Sequence, residues 1–150
     1  MDTTKDTNPK DAIGSLKVPI STVPAQIIAE LGLALLEGAI KYRRHNYRIA
    51  GVRSSVYYDA AMRHMMAWWE GEDIDPDSGL SHVTKAMASL TVLRDAMLQE
   101  MLTDDRPPPV KDTGWVAKFN ELAKKVLGKY KEHLPPYTRD DETPYRKKAA

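Results

Sequence analysis

Two stripes of charge run along stretches that are otherwise apolar. With residues laid ~100° apart on a helix, Glu30, Glu37, Lys41 and Arg44 fall within an arc of roughly 60°, while Ile28, Leu31, Leu35 and Ala39 cover much of the rest. A second stripe, Asp59, Arg63 and Glu70, spans roughly 40° on a stretch built from Ala60, Ala61, Met62, Met65, Met66, Trp68 and Trp69. So much apolar surface implies burial on several sides. Charges on such helices either face solvent or face one another around something charged. On the first alternative Glu37 with Lys41 and Asp59 with Arg63 are ordinary i,i+4 pairs. On the second, carboxylates from two packed helices converge on hard divalent cations. With no Cys and only four His in the chain, such a site selects magnesium or manganese over zinc.

Other clusters narrow the chemistry. Lys41-Tyr42-Arg43-Arg44-His45-Asn46-Tyr47-Arg48, followed by Arg53, carries five formal positive charges and no acid. Basic residues interleaved with aromatics suit a nucleic-acid strand or a single nucleoside triphosphate, and the compactness of the patch favours the smaller ligand. His82, Lys85 and Ser89 share one face of a third helix and address phosphate or form a polar edge; His64 reads as a hydrogen-bonded, partly buried histidine. The stretch Glu70 to Gly79 imitates the start of an EF-hand. It fails because Gly79 stands at loop position seven, Pro76 at four, and Thr84 where a bidentate Glu belongs. No Ser/His/Asp arrangement, Walker loop or GxGxxG is present, which removes support for triad hydrolases, P-loop enzymes and Rossmann folds.

The elements that would carry these residues are helices. The 150 residues hold 22 Lys+Arg against 21 Asp+Glu and 42% hydrophobic residues, which suits one domain with a real core and excludes wholesale disorder. Strand formers are scattered singly, so the chain reads as all-α. Residues 1–22, dense in turn formers, read as an extended arm. Helices follow over about Pro24 to Tyr42, from Ser54 or Ser55 to Glu70, and from Leu80 to Leu102, with a Gly51-centred loop after the first. The domain thus spans 1–102, a Pro-rich linker 103–114, a C-terminal amphipathic helix 115–134 and a tail 135–150. The polar start is no signal peptide and no uncharged apolar run reaches membrane-spanning length. A cytoplasmic protein with no membrane contact is expected.

Several blocks then stand in a recognisable order: Asn8-Pro9-Lys10-Asp11 with Gly14; Glu30, Gly38, Lys41-Tyr42 and Asn46; Tyr58-Asp59-Ala60-Ala61 with Arg63-His64; and Gly71-Glu72-Asp73-Ile74-Asp75-Pro76 with Ser78-Gly79 and His82. Over roughly residues 8 to 100 the chain resembles the MazG-like all-α nucleotide pyrophosphohydrolases, in their purine-selective, phage-associated MazZ-type branch. The wider family's Glu-Glu-x-x-Glu followed by Glu-x-x-Asp is absent as such; Glu70-Gly71-Glu72-Asp73 matches its second part in letters only.

The resemblance implies a MazG-like helical bundle and conversion of dATP or dGTP, with water, to the monophosphate and pyrophosphate. In phages with 2-aminoadenine genomes this controls nucleotide pools and supplies dGMP. Two or more magnesium or manganese ions are expected per site, held by Glu30, Glu37, Asp59 and Glu70. Glu37, with Glu30 and Asp59, forms the catalytic set, and Glu37 orients or deprotonates the water. Lys41, Arg44, Asn46, Arg63, His82 and Lys85 are the expected substrate-binding residues, with Ile13 and Ser15 toward the base. Helices apolar nearly all round further imply a dimer or tetramer that completes the bundle. Two alternatives are a non-enzymatic helical module gripping single-stranded nucleic acid, and a phosphohydrolase releasing phosphate or triphosphate; nucleic acid is otherwise not an expected partner.

Overall fold

A computed structural model describes residues 8–141. The chain divides into two compact units, Met1–Pro107 and Pro108–Ala150. The described residues are all-α apart from one two-stranded sheet.

The first unit opens not on an extended arm but on a short helix, α1, Pro9–Gly14. The Asn8 side chain accepts from the Lys10 amide at 3.0 Å and Pro9 stands at the first helical position, so the local sequence supplies both a cap and a preset φ. Helix α2, Ala25–Tyr42, starts behind Pro24 as its composition predicts. A short helix α3, Tyr47–Ala50, occupies part of what reads as loop. The Gly51 turn is obligatory: φ is 74°, and a Cβ there would lie 2.8 Å from the Met101 carbonyl oxygen.

That close approach belongs to a feature the sequence conceals. Strand β1, Val52–Arg53, pairs in parallel with β2, Leu102–Thr103, in the register Val52 to Leu102 and Arg53 to Thr103. Helix α4, Ser54–Trp69, follows directly. Its N-terminus is capped neither by Ser54 nor by Ser55. The Asp105 carboxylate accepts from the Ser55 amide at 2.8 Å and from the Ser55 hydroxyl at 2.5 Å, and Arg106 holds Asp104 alongside at 2.6 Å. The Arg106 guanidinium lowers the Asp104 pKa to about 2.

Helix α5, His82–Leu98, begins behind Ser81, whose hydroxyl accepts from the Val83 amide at 3.2 Å. It ends four residues short of the expected Leu102, because Glu100 takes φ 57° and turns the chain back toward β1. The acidic connector before it closes on itself: Asp75 accepts from the Ser78 hydroxyl at 2.8 Å and the Asp77 amide at 3.2 Å. Asp75 thereby holds the turn together.

Helices α2 and α4 both pack on α5. The interior consists of small residues, Ala34, Ala61, Ala86, Ala88 and Ala96, with Val52 and Val92. Leu35, Tyr47, Tyr57 and Leu102 close over Val52, Val92 and Ala96. No large side chain is fully buried among the described residues, whereas Ile40 and Trp69 are each 78% exposed. Ideal Cβ atoms at Gly32 and Gly38 would meet nothing within 4 Å, so neither marks a close helix approach within the chain.

The second unit holds α6, Trp115–Leu127. Asp112 receives the Gly114 amide at 3.0 Å and Lys118 at 2.6 Å. Trp115, Phe119, Leu122 and Val126 recur along one side at helical spacing, each about half exposed.

Candidate functional site

A cavity of about 650 Å3 opens in the first unit among the C-terminal half of α2, the turn that follows, and α5. Its wall is apolar where Leu35, Ala88 and Val92 line it, with Tyr47 and Tyr57 beside them. Burial pushes the Tyr57 hydroxyl pKa up. The polar side is strongly cationic: Lys41, Arg43, Arg44 and Lys85 line the cavity against a single carboxylate, Glu37.

Glu37 is shared by two lysines. Lys41 Nζ donates to Oε1 at 2.8 Å from one helical turn on, as i,i+4 spacing dictates, and Lys85 Nζ reaches across from α5 to Oε2 at 2.6 Å. The Lys41 bond and then the Lys85 bond hold the Glu37 pKa below its ordinary value. The Glu37 side chain is 25% exposed and that of Lys85 19%, against 50% for Lys41, so the Glu37–Lys85 pair is the less screened of the two. The next cation along, Arg48 on α3, is committed elsewhere: its Nε and Nη2 bond Asp95 of α5 at 2.7 and 3.1 Å. This bidentate clamp ties the start of α3 to the helix that forms the cavity wall.

A hydrogen-bonded chain of titratable groups lies where α5 begins. His82, 5% exposed, bonds Glu72 through Nε2 at 2.7 Å and His64 through Nδ1 at 2.9 Å. Both rings are satisfied as neutral imidazoles when His82 Nε2–H donates to Glu72 and His64 Nδ1–H donates to His82. Burial lowers the His64 pKa, against the pull of Asp75. His64 is thus hydrogen-bonded and partly buried, as its surroundings in sequence predict.

Of the expected site residues, the fold brings Glu37, Lys41, Arg44, Asn46 and Lys85 to one cavity. The others lie elsewhere. Glu30 accepts a hydrogen bond from the buried Thr84 hydroxyl. Asp59, Arg63 and Glu70 are exposed on and just after α4. His82 has both ring nitrogens engaged within the protein, which leaves neither for phosphate. Ile13 is 62% exposed and the Ser15 hydroxyl donates to the Ala12 carbonyl at 3.0 Å; neither lines the cavity. Among the described residues no three His, Asp or Glu side chains come together as a set able to hold a metal ion. Within one chain, Glu30, Glu37, Asp59 and Glu70 therefore do not fit as a metal centre. The stripe arithmetic is right about each helix, but α4 turns its acidic stripe outward instead of toward α2.

Sequence reasoning missed Tyr57 and the pairing of Glu72 with His82. The first faces the cavity because α4 packs beside α5, a tertiary fact. The second had a local signal in the ten-residue connector, short enough to fold its acids back onto the start of α5.

The helical scaffold carries a cation-lined cavity of small-molecule size, whose size and charge suit a polyanion. The chain belongs to the family described as dATP/dGTP diphosphohydrolase, N-terminal domain, whose model matches residues 7–106. This makes nucleoside triphosphate the substrate class and hydrolysis the reaction. The match covers the cavity and the Asp104 to Arg106 clamp and stops before α6. No curated protein and no solved structure matches the chain.

Proposed function

We propose that the chain hydrolyses dATP and dGTP to the monophosphate and pyrophosphate. The single observation that carries this reading is the cavity, where four cations face one carboxylate. A nucleoside triphosphate carries about four negative charges near neutral pH, and preorganised cations stabilise both the bound phosphates and the departing pyrophosphate.

In this reading Lys41 and Lys85 exchange Glu37 for phosphate oxygens as substrate enters, with Arg44 and Asn46 at the rim. Relieved of its lysines, Glu37 regains ordinary basicity and takes a proton from water as the water oxygen bonds to Pα. The bond from Pα to the bridging oxygen breaks and pyrophosphate leaves with the electron pair. The apolar wall with Tyr47 and Tyr57 receives the purine.

Magnesium or manganese dependence belongs to the same proposal, although the carboxylates among the described residues form no set for it and no step above relies on it. So does self-association into a dimer or tetramer. An open, mostly apolar groove of about 290 Å3 lined by Met65, Met66, Trp68 and Trp69 beside Glu70 supports it, since burying such an apolar side chain is worth about 1.5–3 kcal/mol. The setting is the host cytoplasm during phage infection, in the MazZ-type role of supplying dGMP for 2-aminoadenine DNA; no helix among the described residues is long and apolar enough to cross a membrane.

The test is incubation of purified protein with each common dNTP and NTP, with magnesium, manganese or EDTA, resolving products by anion exchange. Monophosphate and pyrophosphate formed from purine substrates, and suppressed by EDTA, are expected. Release of inorganic phosphate or triphosphate would contradict the reaction. Intact nucleotides throughout, with salt-sensitive binding of single-stranded oligonucleotides, would put a nucleic-acid module in its place.

A further inference from the structure

The turn that closes α2 is strained where it borders the cavity. Arg43 has φ 76° and ψ 144°, a region that glycine alone enters freely, and His45 has φ 57°. Glycine stands at neither position, although it occupies the positive-φ positions Gly51, Gly71 and Gly79 elsewhere. The conformation is held by hydrogen bonds within the turn and by the anchoring of the short helix that follows it. The Asn46 amide bonds the Arg43 carbonyl at 3.2 Å and the Arg48 amide bonds the His45 carbonyl at 3.0 Å. The Arg48 clamp on Asp95 then fixes α3 to α5.

The charges sharpen the point. Of the cations lining the cavity, Lys41 and Lys85 each have Glu37 as partner. Neither Arg43 nor Arg44 has a carboxylate partner among the described residues. Two adjacent guanidiniums without counter-ions, on a backbone held in an unfavourable conformation at the mouth of a cavity, are a prepared anion subsite. Guanidinium matches the paired oxygens of phosphate groups in a way that ammonium does not.

We infer that this turn is the subsite for the terminal phosphates, with Arg43 a substrate-binding residue beside Arg44, so that inorganic tripolyphosphate and pyrophosphate bind there in their own right. The inference rests on the reading of the cavity as a nucleoside triphosphate site. It adds that affinity resides in the part of the substrate that leaves, which makes pyrophosphate a competitive product inhibitor.

The test uses the full chain and three proteins: wild type, Arg43→Gly and Arg43→Lys. Each is titrated calorimetrically with inorganic tripolyphosphate and with dGMP, its thermal midpoint is recorded, and KM and kcat for dGTP are measured. Arg43→Gly removes the backbone strain together with the guanidinium. Its midpoint is expected to match or exceed wild type, while tripolyphosphate binding weakens about tenfold or more and dGMP binding stays within about twofold. KM for dGTP should rise, and Arg43→Lys should recover part of the loss. Tripolyphosphate binding by Arg43→Gly equal to that of wild type, or none by wild type, would overturn the inference even with dGTP hydrolysis intact. Absence of dGTP turnover beside Arg43-dependent tripolyphosphate binding would refute the nucleotide reading and leave the anion subsite standing.

Discussion

Glu37 is the most consequential side chain in the first unit because it answers to two lysines from two helices. In the free protein those lysines hold its pKa below the ordinary value, a resting state that, in the proposed reaction, substrate phosphates undo by competing for the same ammonium groups. Glu37→Gln keeps the shape and hydrogen-bonding reach while deleting the proton acceptor. It should fold normally and lose about 10²-fold or more in kcat; near wild-type turnover by a properly folded variant would remove Glu37 from the chemistry. His64 supports a prediction of a different kind. Its folded pKa lies below the ordinary value because burial disfavours the charged ring, so the stability it contributes is complete above the unfolded pKa. That contribution is lost as pH falls through the folded value. Urea midpoints should therefore decline from about pH 7 to about pH 5, and the decline should flatten in His64→Gln; identical slopes in the two proteins would show that the pair with His82 does not sense protons.

Helix α5 organises the first unit, and its sequence shows why. Ala86, Ala88 and Ala96 are buried in the interior, where their small side chains permit close packing, and Lys85, Ala88 and Ser89 line the cavity. Its start depends on Ser81, the Val83 amide partner and the residue immediately before the buried His82. Ser81→Ala should lower stability by about 1 kcal/mol, read from denaturant midpoints at unchanged m-value; an unchanged midpoint would mean that the connector alone fixes the helix end. The cores of α2, α4, α5 and α6 were legible in their periodicity, as were the Lys41, Arg44 and Lys85 side of the cavity and the Glu37–Lys41 pair. The pairing of Val52–Arg53 with Leu102–Thr103 was not, because two-residue strands about fifty positions apart carry no periodic signal. For the same reason Asp105, rather than a local serine, caps α4. The rotation of α4 that exposes Asp59 and Glu70 was likewise invisible, since a helical wheel orders residues around an axis without saying which side faces a neighbour.

The molecule as a whole buries less than its composition allows. No large side chain is fully enclosed among the described residues, while Ile40, Met66 and Trp69 stay open to water, and the proposed association of copies supplies their cover. Light scattering coupled to size exclusion should report a dimer or tetramer at micromolar concentration; a monomer across that range would leave the apolar surface of α2 and α4 unexplained and the proposed assembly refuted. The central claim concerns the bond that is cut, and one measurement addresses it directly. Hydrolysis of dGTP in water enriched in oxygen-18, with products analysed by mass spectrometry, locates the attacked phosphorus. Attack at Pα by water that Glu37 activates predicts one heavy oxygen in dGMP and none in pyrophosphate. Label in pyrophosphate, label in inorganic phosphate, or dGTP that remains intact would contradict it.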